Sequence, residues 1–363
     1  MNMHVKAHMS RINLKAFFVT LLLLVVAHLG VVLYVDPLWL HDHEFSWNQY
    51  QKAYDERLTK TIRLVYGAEN GRFDAVSLGS SRGTYLPVAD FDDYRVFNYA
   101  VSSLYPGEYL KMLELFAREQ GEPHAIIIGA DFFGSRNDWA DRIGPYIDEV
   151  SEPGFLFKRL LSVDTLQWAM NEARANKTGK YPSPGKELYD RSMRKELYRH
   201  DNWTPYYKPM LSKYCRIVYG RSYTWNRELP QLFAALKERF PNTRFIIYTS
   251  PTMGTFYDAL IFRERLDDYM RWLALLVETF GEVYDLMGHN EFTDNPDNYY
   301  DYHHFAAGAG MWLIDNVLEQ QTPKIGALVT RDSLDAYLRV KAVEAQRILN
   351  ERENPCAGWQ PHV

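Results

Sequence analysis

The chain has 363 residues, enough for one large domain or two small ones with a substantial core. A formal net charge of -5 and the lack of any long basic run argue against a nucleic-acid partner, which needs a positive footprint. Two cysteines, Cys215 and Cys356, with no CxxC pair or Cys/His cluster, argue against a structural zinc module. Because Cys356 lies in a polar tail, the two are expected to remain unpaired. Aromatic residues make up 15% of the chain, which suits either a carbohydrate-facing surface or an aromatic-rich core.

The first element runs from Ala16 to Val35, AFFVTLLLLVVAHLGVVLYV, without Asp, Glu, Lys or Arg. At about 1.5 Å per residue, such a helix spans a hydrocarbon layer of about 30 Å. Lys6, Arg11 and Lys15 precede it, and Asp36, Asp42 and Glu44 follow. The positive-inside rule then leaves residues 1–15 in the cytoplasm and puts everything after Asp36 outside the cytoplasmic (inner) membrane. Val25-Val26-Ala27 loosely fits a signal-peptidase site, but the apolar run continues to Val35, so an uncleaved single-pass anchor is expected. His28 reads as a tolerated neutral histidine on a helix face. Trp39 and Trp47 are expected at the membrane interface.

Residues 36–70 read as a connector with an amphipathic helix around Trp47 to Val65. Residues 71–320 follow as an α/β domain. Short apolar runs at Phe73–Leu78, Arg95–Tyr99, Ala125–Ile128, Arg244–Tyr248 and Val283–Leu286 predict strands. Helical stretches at Glu108–Arg118, Leu229–Arg239, Tyr257–Phe280 and Ala306–Leu318 alternate with them. This alternation predicts a doubly wound, flavodoxin-like parallel sheet in three layers. Residues 137–225 interrupt it as a polar, Tyr-rich insertion containing the loop KTGKYPSPGKE, a candidate cover for the site. Residues 321–363 read as a charged helical tail, and no internal repeat appears.

In open parallel sheets, sites form beyond the carboxyl ends of the strands. Four segments there carry chemistry-bearing residues: Gly79-Ser80-Ser81-Arg82-Gly83, Asn98 to Ser103, Gly129-Ala130-Asp131, and Asp301-Tyr302-His303-His304. A strand entering a Gly-flanked serine turn exposes a hydroxyl and can aim a backbone N–H at an oxyanion; an ordinary turn or a phosphate cradle fits the same residues. Asp301 and His304, three residues apart, can supply an orienting carboxylate and a base for that serine. The alternative is half of a metal site, for which no further His/Asp group is at hand.

Together these segments resemble the SGNH/GDSL hydrolase superfamily, whose blocks are a Gly-x-Ser nucleophile, a glycine, Gly-x-Asn and a terminal Asp-x-x-His. Gly79-Ser80-Ser81 matches the first block, AIIIGADFF the third, and Asp301-Tyr302-His303-His304 the last. The resemblance covers residues 70–320 apart from the insertion. It implies Ser81 as nucleophile, His304 as base and Asp301 as its orienter, with Ser103, Gly129, Asp131 and Arg82 as oxyanion or substrate-binding residues. Two departures stand out. Asp131 replaces the usual Asn, and an ionised carboxylate cannot donate to an oxyanion. Ser102-Ser103 replaces the second-block glycine, leaving the Ser103 N–H as a candidate donor. Arg82 either holds an anionic sugar or pairs with Asp131, and Tyr248, Ser250, Pro251 and Thr252 either line the pocket or form a structural turn.

The single N-terminal span, Asp36-Pro37, the Gly-x-Ser-Arg block and the late Asp-x-x-His further resemble exopolysaccharide O-acetylation proteins of the alginate-acetylation kind. That resemblance implies an esterase or O-acyltransferase acting on acyl groups of an exported polysaccharide, with an acyl donor, a polysaccharide acceptor and a membrane-bound O-acyltransferase as partners. It implies no metal or organic cofactor. A catalytically silent scaffold or polysaccharide-binding subunit is the alternative.

Overall fold

The computed structural model describes residues 2–41, 43–52, 55–67, 73–137, 140–179, 187–191, 193–197, 204–318 and 320–359. Asp42 and most of the KTGKYPSPGKE loop lie outside them. The chain opens with the helix Asn2–Val35. Its segment Leu14–Val35, 22 residues with mean hydropathy 2.7, is long and apolar enough to cross a membrane.

Nine strands follow among the described residues: β1 (Tyr50–Lys52), β2 (Ala75–Gly79), β3 (Val96–Asn98), β4 (Ala125–Gly129), β5 (Glu187–Asp190), β6 (Lys195–Leu197), β7 (Arg244–Tyr248), β8 (Glu282–Asp285) and β9 (Ala327–Thr330). Six form the central sheet in the order β3-β2-β4-β7-β8-β9. The first five run parallel, at the positions expected from their β-branched runs, and β9 closes one edge antiparallel to β8. The result is α/β with a mixed, mostly parallel sheet.

Alternation along each strand sorts the core into two layers, because successive side chains point to opposite faces. Val76, Leu78, Phe97, Ile126, Ile128, Phe245, Ile247 and Val283 face one apolar cluster, shared with the helices Pro106–Gln120, Leu229–Arg239 and Leu266–Phe280. Ala75, Val96, Ala125, Ile127, Ile246, Tyr248 and Tyr284 face the other, covered by Leu313, Ile314, Val317 and Leu318 and by the Tyr85–Phe91 turns. The long helix expected at Tyr257–Phe280 is two helices, Gly254–Phe262 and Leu266–Phe280, broken where Glu264 takes a left-handed φ of 59°.

Other features also depart from the sequence reading. The connector helix is shorter than expected: it spans Glu56–Tyr66, starting at Asp55, whose carboxylate accepts from the Arg57 and Leu58 N–H groups. Ahead of it, β1 pairs with β5, and β5 with β6, so connector and insertion share a small antiparallel sheet. Trp39, expected at the interface, is instead buried with Arg63 and Arg191 each 5.3 Å from its ring.

The tail supplies another departure. After β9, the helix Leu334–Glu351 packs on the helices Gly254–Phe262 and Leu266–Phe280. This returns the chain end to the domain, where Cys356 forms a disulfide with Cys215; their Cα atoms are 5.6 Å apart and both are buried. The expectation of unpaired cysteines fails because the tail folds onto the core rather than trailing from it.

Candidate active site

The chain leaves β2 for β3 on one side and then reaches β4 on the other, so the crevice between the ends of β2 and β4 is the switch point of the sheet. Their ends are level: Gly79 pairs with Gly129, and Gly129 with Tyr248. The serine turn and the Asp131 segment therefore emerge side by side.

The turn is held from within. The Arg82 N–H donates to Ser80 Oγ at 3.3 Å, and Thr84 Oγ1 donates to the Ser81 carbonyl at 2.6 Å. Asn98 Nδ2, at the end of β3, donates to the carbonyls of Gly83 and Leu86 at 3.2 Å each. Ser81 is left half-buried at the crevice while Ser80 and Arg82 turn inward and are buried.

Ser81 meets the loop that follows β8. His304 Nε2 lies 2.8 Å from Ser81 Oγ, and His304 Nδ1 lies 2.8 Å from Asp301 Oδ2. Asp301 Oδ1 also accepts the backbone N–H of His304 at 2.8 Å and of His303 at 3.3 Å, made possible by the left-handed φ of 69° at Tyr302. Burial opposes charge on Asp301, but His304 and His303 outweigh it and hold the carboxyl well below the usual range. An acceptor carboxylate on Nδ1 directs Nε2 to accept the serine proton, which is the geometry of an activated hydroxyl nucleophile.

His303 is buried beside this series, its ring 3.8 Å from that of His304. Burial first, and the neighbouring His304 next, lower its pKa to about 3, so it is neutral at physiological pH. Asp301, His303 and His304 place ligand-type atoms within 4.8 Å of one another. Both nitrogens of His304 are already engaged by Asp301 and Ser81, so a cation there competes with the serine contact.

The remaining candidate residues have different surroundings. Arg82 and Asp131 form an ion pair at 2.5 Å, and Ser80 Oγ donates to the other oxygen of Asp131. Arg82 also donates to the His303 carbonyl at 3.1 Å and to the Tyr214 hydroxyl. Of the two roles open to Arg82, pairing with Asp131 is the one observed. Asp131, with both oxygens accepting, is a support beneath the turn rather than an oxyanion donor. Gly129 is a packing position, since a Cβ there would sit 2.8 Å from the Tyr248 hydroxyl. Tyr248, at the end of β7, and Ser250, Pro251 and Thr252, in the irregular segment after it, are buried. Ser103 stays exposed with a left-handed φ of 54°, its carbonyl accepting from Arg57 at 3.3 Å.

Sequence reasoning missed the wall of the site. The Tyr85 ring lies 5.2 Å from that of His304, and its hydroxyl donates to Glu187 Oε1 at 2.9 Å. Lys195 bridges Glu187 at 2.9 Å and Glu56 at 2.8 Å, and Glu56 Oε2 accepts from both the N–H and the hydroxyl of Ser102 at 2.8 Å. Hydrogen bonds and ion pairs thus run from Ser102 through Glu56, Lys195 and Glu187 to Tyr85, whose ring lies against that of His304. The insertion contributes at two points, Glu187 with Lys195 and Tyr214. Tyr85, one turn beyond Ser81, was the sole member with a local clue; Glu56 and Lys195 are joined by folding alone.

Compared with known proteins, the chain matches no family model, no curated protein and no solved structure.

Proposed function

We propose that the chain is a membrane-anchored, extracytoplasmic serine acyltransferase or esterase of the SGNH type, acting on acyl groups, O-acetyl foremost, of an exported polysaccharide. The observation that carries this reading is the unbroken hydrogen-bond series Ser81–His304–Asp301 at the switch point of the sheet. The strand order, with the nucleophile after β2 and the base after β8, supports it, as does the block pattern of the sequence. The apolar helix supports the anchor, and the charge asymmetry around it supports an outward-facing domain.

In this mechanism His304 Nε2 takes the proton of Ser81 Oγ as the oxygen attacks the acyl carbonyl. Asp301 holds the tautomer and offsets the charge that develops on the imidazole. The tetrahedral intermediate collapses with return of the proton from His304 to the departing donor oxygen, leaving acyl-Ser81. A sugar hydroxyl or water, deprotonated by His304, then releases the acyl group and restores the serine. Backbone N–H groups of the Ser81 turn and of Ser103 stabilise the oxyanion, because both Asp131 oxygens are engaged by Arg82 and Ser80. That missing side-chain donor is also the one observation favouring the second reading, a silent polysaccharide-binding subunit.

The test is labelling of the full-length protein in detergent with a fluorophosphonate, beside Ser81→Ala and His304→Ala. Labelling of the wild type that is lost in both variants supports the enzyme. A folded wild-type protein that neither labels nor turns over an acetyl ester, even with an acyl donor and a polysaccharide acceptor, overturns it. Dependence of turnover on the acceptor separates transferase from esterase.

A further inference from the structure

The apolar helix does not stand apart from the domain. Leu21 to Leu24 are exposed, but Val25, His28 and Leu29 are half-buried, and Val32 and Val35 are buried. This three-to-four residue spacing is one helix face. The helix packs on two helices of the insertion, Phe155–Leu160 and Val163–Thr178.

Contacts at two ends fix how those helices sit. At one end, His28 Nε2 lies 2.9 Å from the Leu160 carbonyl. A carbonyl only accepts, so the ring carries its proton on Nε2. At the other end, Asn176 exchanges hydrogen bonds with the backbone of Tyr50, and Lys177 Nζ lies 5.3 Å from the ring of Trp47, which itself packs on Tyr34. His28 precedes Val35 by seven residues, about 10 Å along the helix axis. The turn at Leu160–Val163 is therefore deeper along the span than Lys177 is.

Exposure follows this depth. The large exposed apolar side chains of the two helices are Phe157 at 65%, Val163 at 76% and Met170 at 60%, toward the deep end. Toward the shallow end, Asn171, Arg174, Lys177 and Thr178 are exposed. Near the turn, Lys158 pairs with Glu152 at 3.6 Å, Arg159 stacks 4.6 Å from Trp168, and Asp164 is exposed at the start of the second helix. Long basic side chains of this kind bury their stems and keep their heads at an interface.

We propose, on the reading that Leu14–Val35 spans the membrane, that the turn joining Phe155–Leu160 to Val163–Thr178 inserts into the outer leaflet beside it. Phe157, Val163 and Met170 contact acyl chains, and Arg174 and Lys177 contact phosphates. Large exposed apolar side chains beside an apolar span, with basic ones nearer its outer end, suit the acyl-chain and phosphate levels of a leaflet. The same placement accounts for His28, which was read from sequence as a bystander. Where water is scarce, the free carbonyl at the end of a short helix needs a protein donor, and His28 supplies it. Since the insertion also bears Glu187 and Tyr214, the membrane contact and the catalytic wall belong to one segment.

The experiment is spin-label accessibility on the full-length protein in nanodiscs of phosphatidylethanolamine and phosphatidylglycerol. Single labels go on Leu22→Cys, Val163→Cys, Met170→Cys and Val343→Cys; Val343, 72% exposed on the C-terminal helix, is the aqueous reference. The native cysteines are paired and do not react. The expected result is collision with oxygen at positions 22, 163 and 170, with access of a water-soluble nickel complex reduced several-fold relative to 343. Shielding at 22 with water-level access at 163 and 170 overturns the inference and leaves the anchor standing. Water-level access at 22 overturns both. Shielding at 163 from oxygen and nickel alike means that protein, not lipid, covers this face, and overturns the inference as well.

Discussion

Arg82 and Asp131 form a buried ion pair directly beneath the Ser81 turn, their nearest atoms 2.5 Å apart. The pair joins the turn after β2 to the end of β4, and through the His303 carbonyl it reaches the base loop as well. A carboxylate where the resemblance expects an amide thus trades an oxyanion donor for a strut. Removing one partner of such a pair strands the other charge. Asp131→Ala is expected to cost about 3 kcal/mol. The double change Arg82→Met with Asp131→Ala should cost much less than the sum of the two singles. Additive losses in chemical denaturation would remove the strut from the account.

Ser81→Ala and His304→Ala should each reduce acyl turnover by about 10⁴-fold or more, because nucleophile and base act as a unit. Asp301→Asn should fall by a comparable factor through the wrong histidine tautomer. Ser81→Ala should leave the melting temperature within experimental scatter. Steady-state rates with an acetyl ester and thermal unfolding on the same samples check both; a Ser81→Ala protein with wild-type turnover would contradict the proposed role.

The pH dependence follows from His303. Burial holds its folded pKa at about 3, below the ordinary 6.5, so between these values the unfolded chain binds the extra proton. Stability therefore falls as the pH falls through this window, with a slope of up to about 1.4 kcal/mol per pH unit from this group. Asp301, whose carboxyl is held low by the two histidines, acts in the same direction below its ordinary value of 3.8. Denaturation midpoints from pH 7 to pH 4 should be flatter in His303→Gln than in the wild type.

Lys195 is fully enclosed between Glu56 and Glu187. Lys195→Met should destabilise by about 3 kcal/mol, since it leaves carboxylates buried without their cation. It should also loosen Tyr85 against His304, lowering kcat more than it raises KM. Unchanged stability and kinetics would show that the wall does not depend on this lysine.

The disulfide closes a sequence separation of 141 residues. Constraining so long a loop in the unfolded chain contributes on the order of 2–5 kcal/mol. Cys215→Ser or Cys356→Ser should lower the melting temperature, and reductant should lower the wild type toward the variants but not shift the variants themselves. A wild-type melt insensitive to full reduction would contradict this.

Much of this was legible in the residues. Continuous β-branched runs such as Ala-Ile-Ile-Ile mark strands buried on both faces, and five of the six central strands lie where those runs fall. The apolar stretch to Val35 is self-evident, since a span depends on local hydropathy alone. Ser81, at a strand exit, and Asp301 and His304, three residues apart just before a helix, were singled out by chain order and spacing.

What tertiary structure alone decided are the pairings between distant residues with no local pattern. β9 was hidden in a charged tail because a short edge strand needs a partner to declare itself. The disulfide, the Glu56–Lys195–Glu187 wall and the sheet shared by connector and insertion all join segments more than a hundred residues apart. Asp131 could be read only as a departure from a motif; whether it faces substrate or Arg82 depends on which side chains the folded turn brings within 2.5 Å. Local hydropathy and spacing fix elements and their exits, whereas the meeting of buried charges is set by packing, where desolvation makes every unpaired group costly.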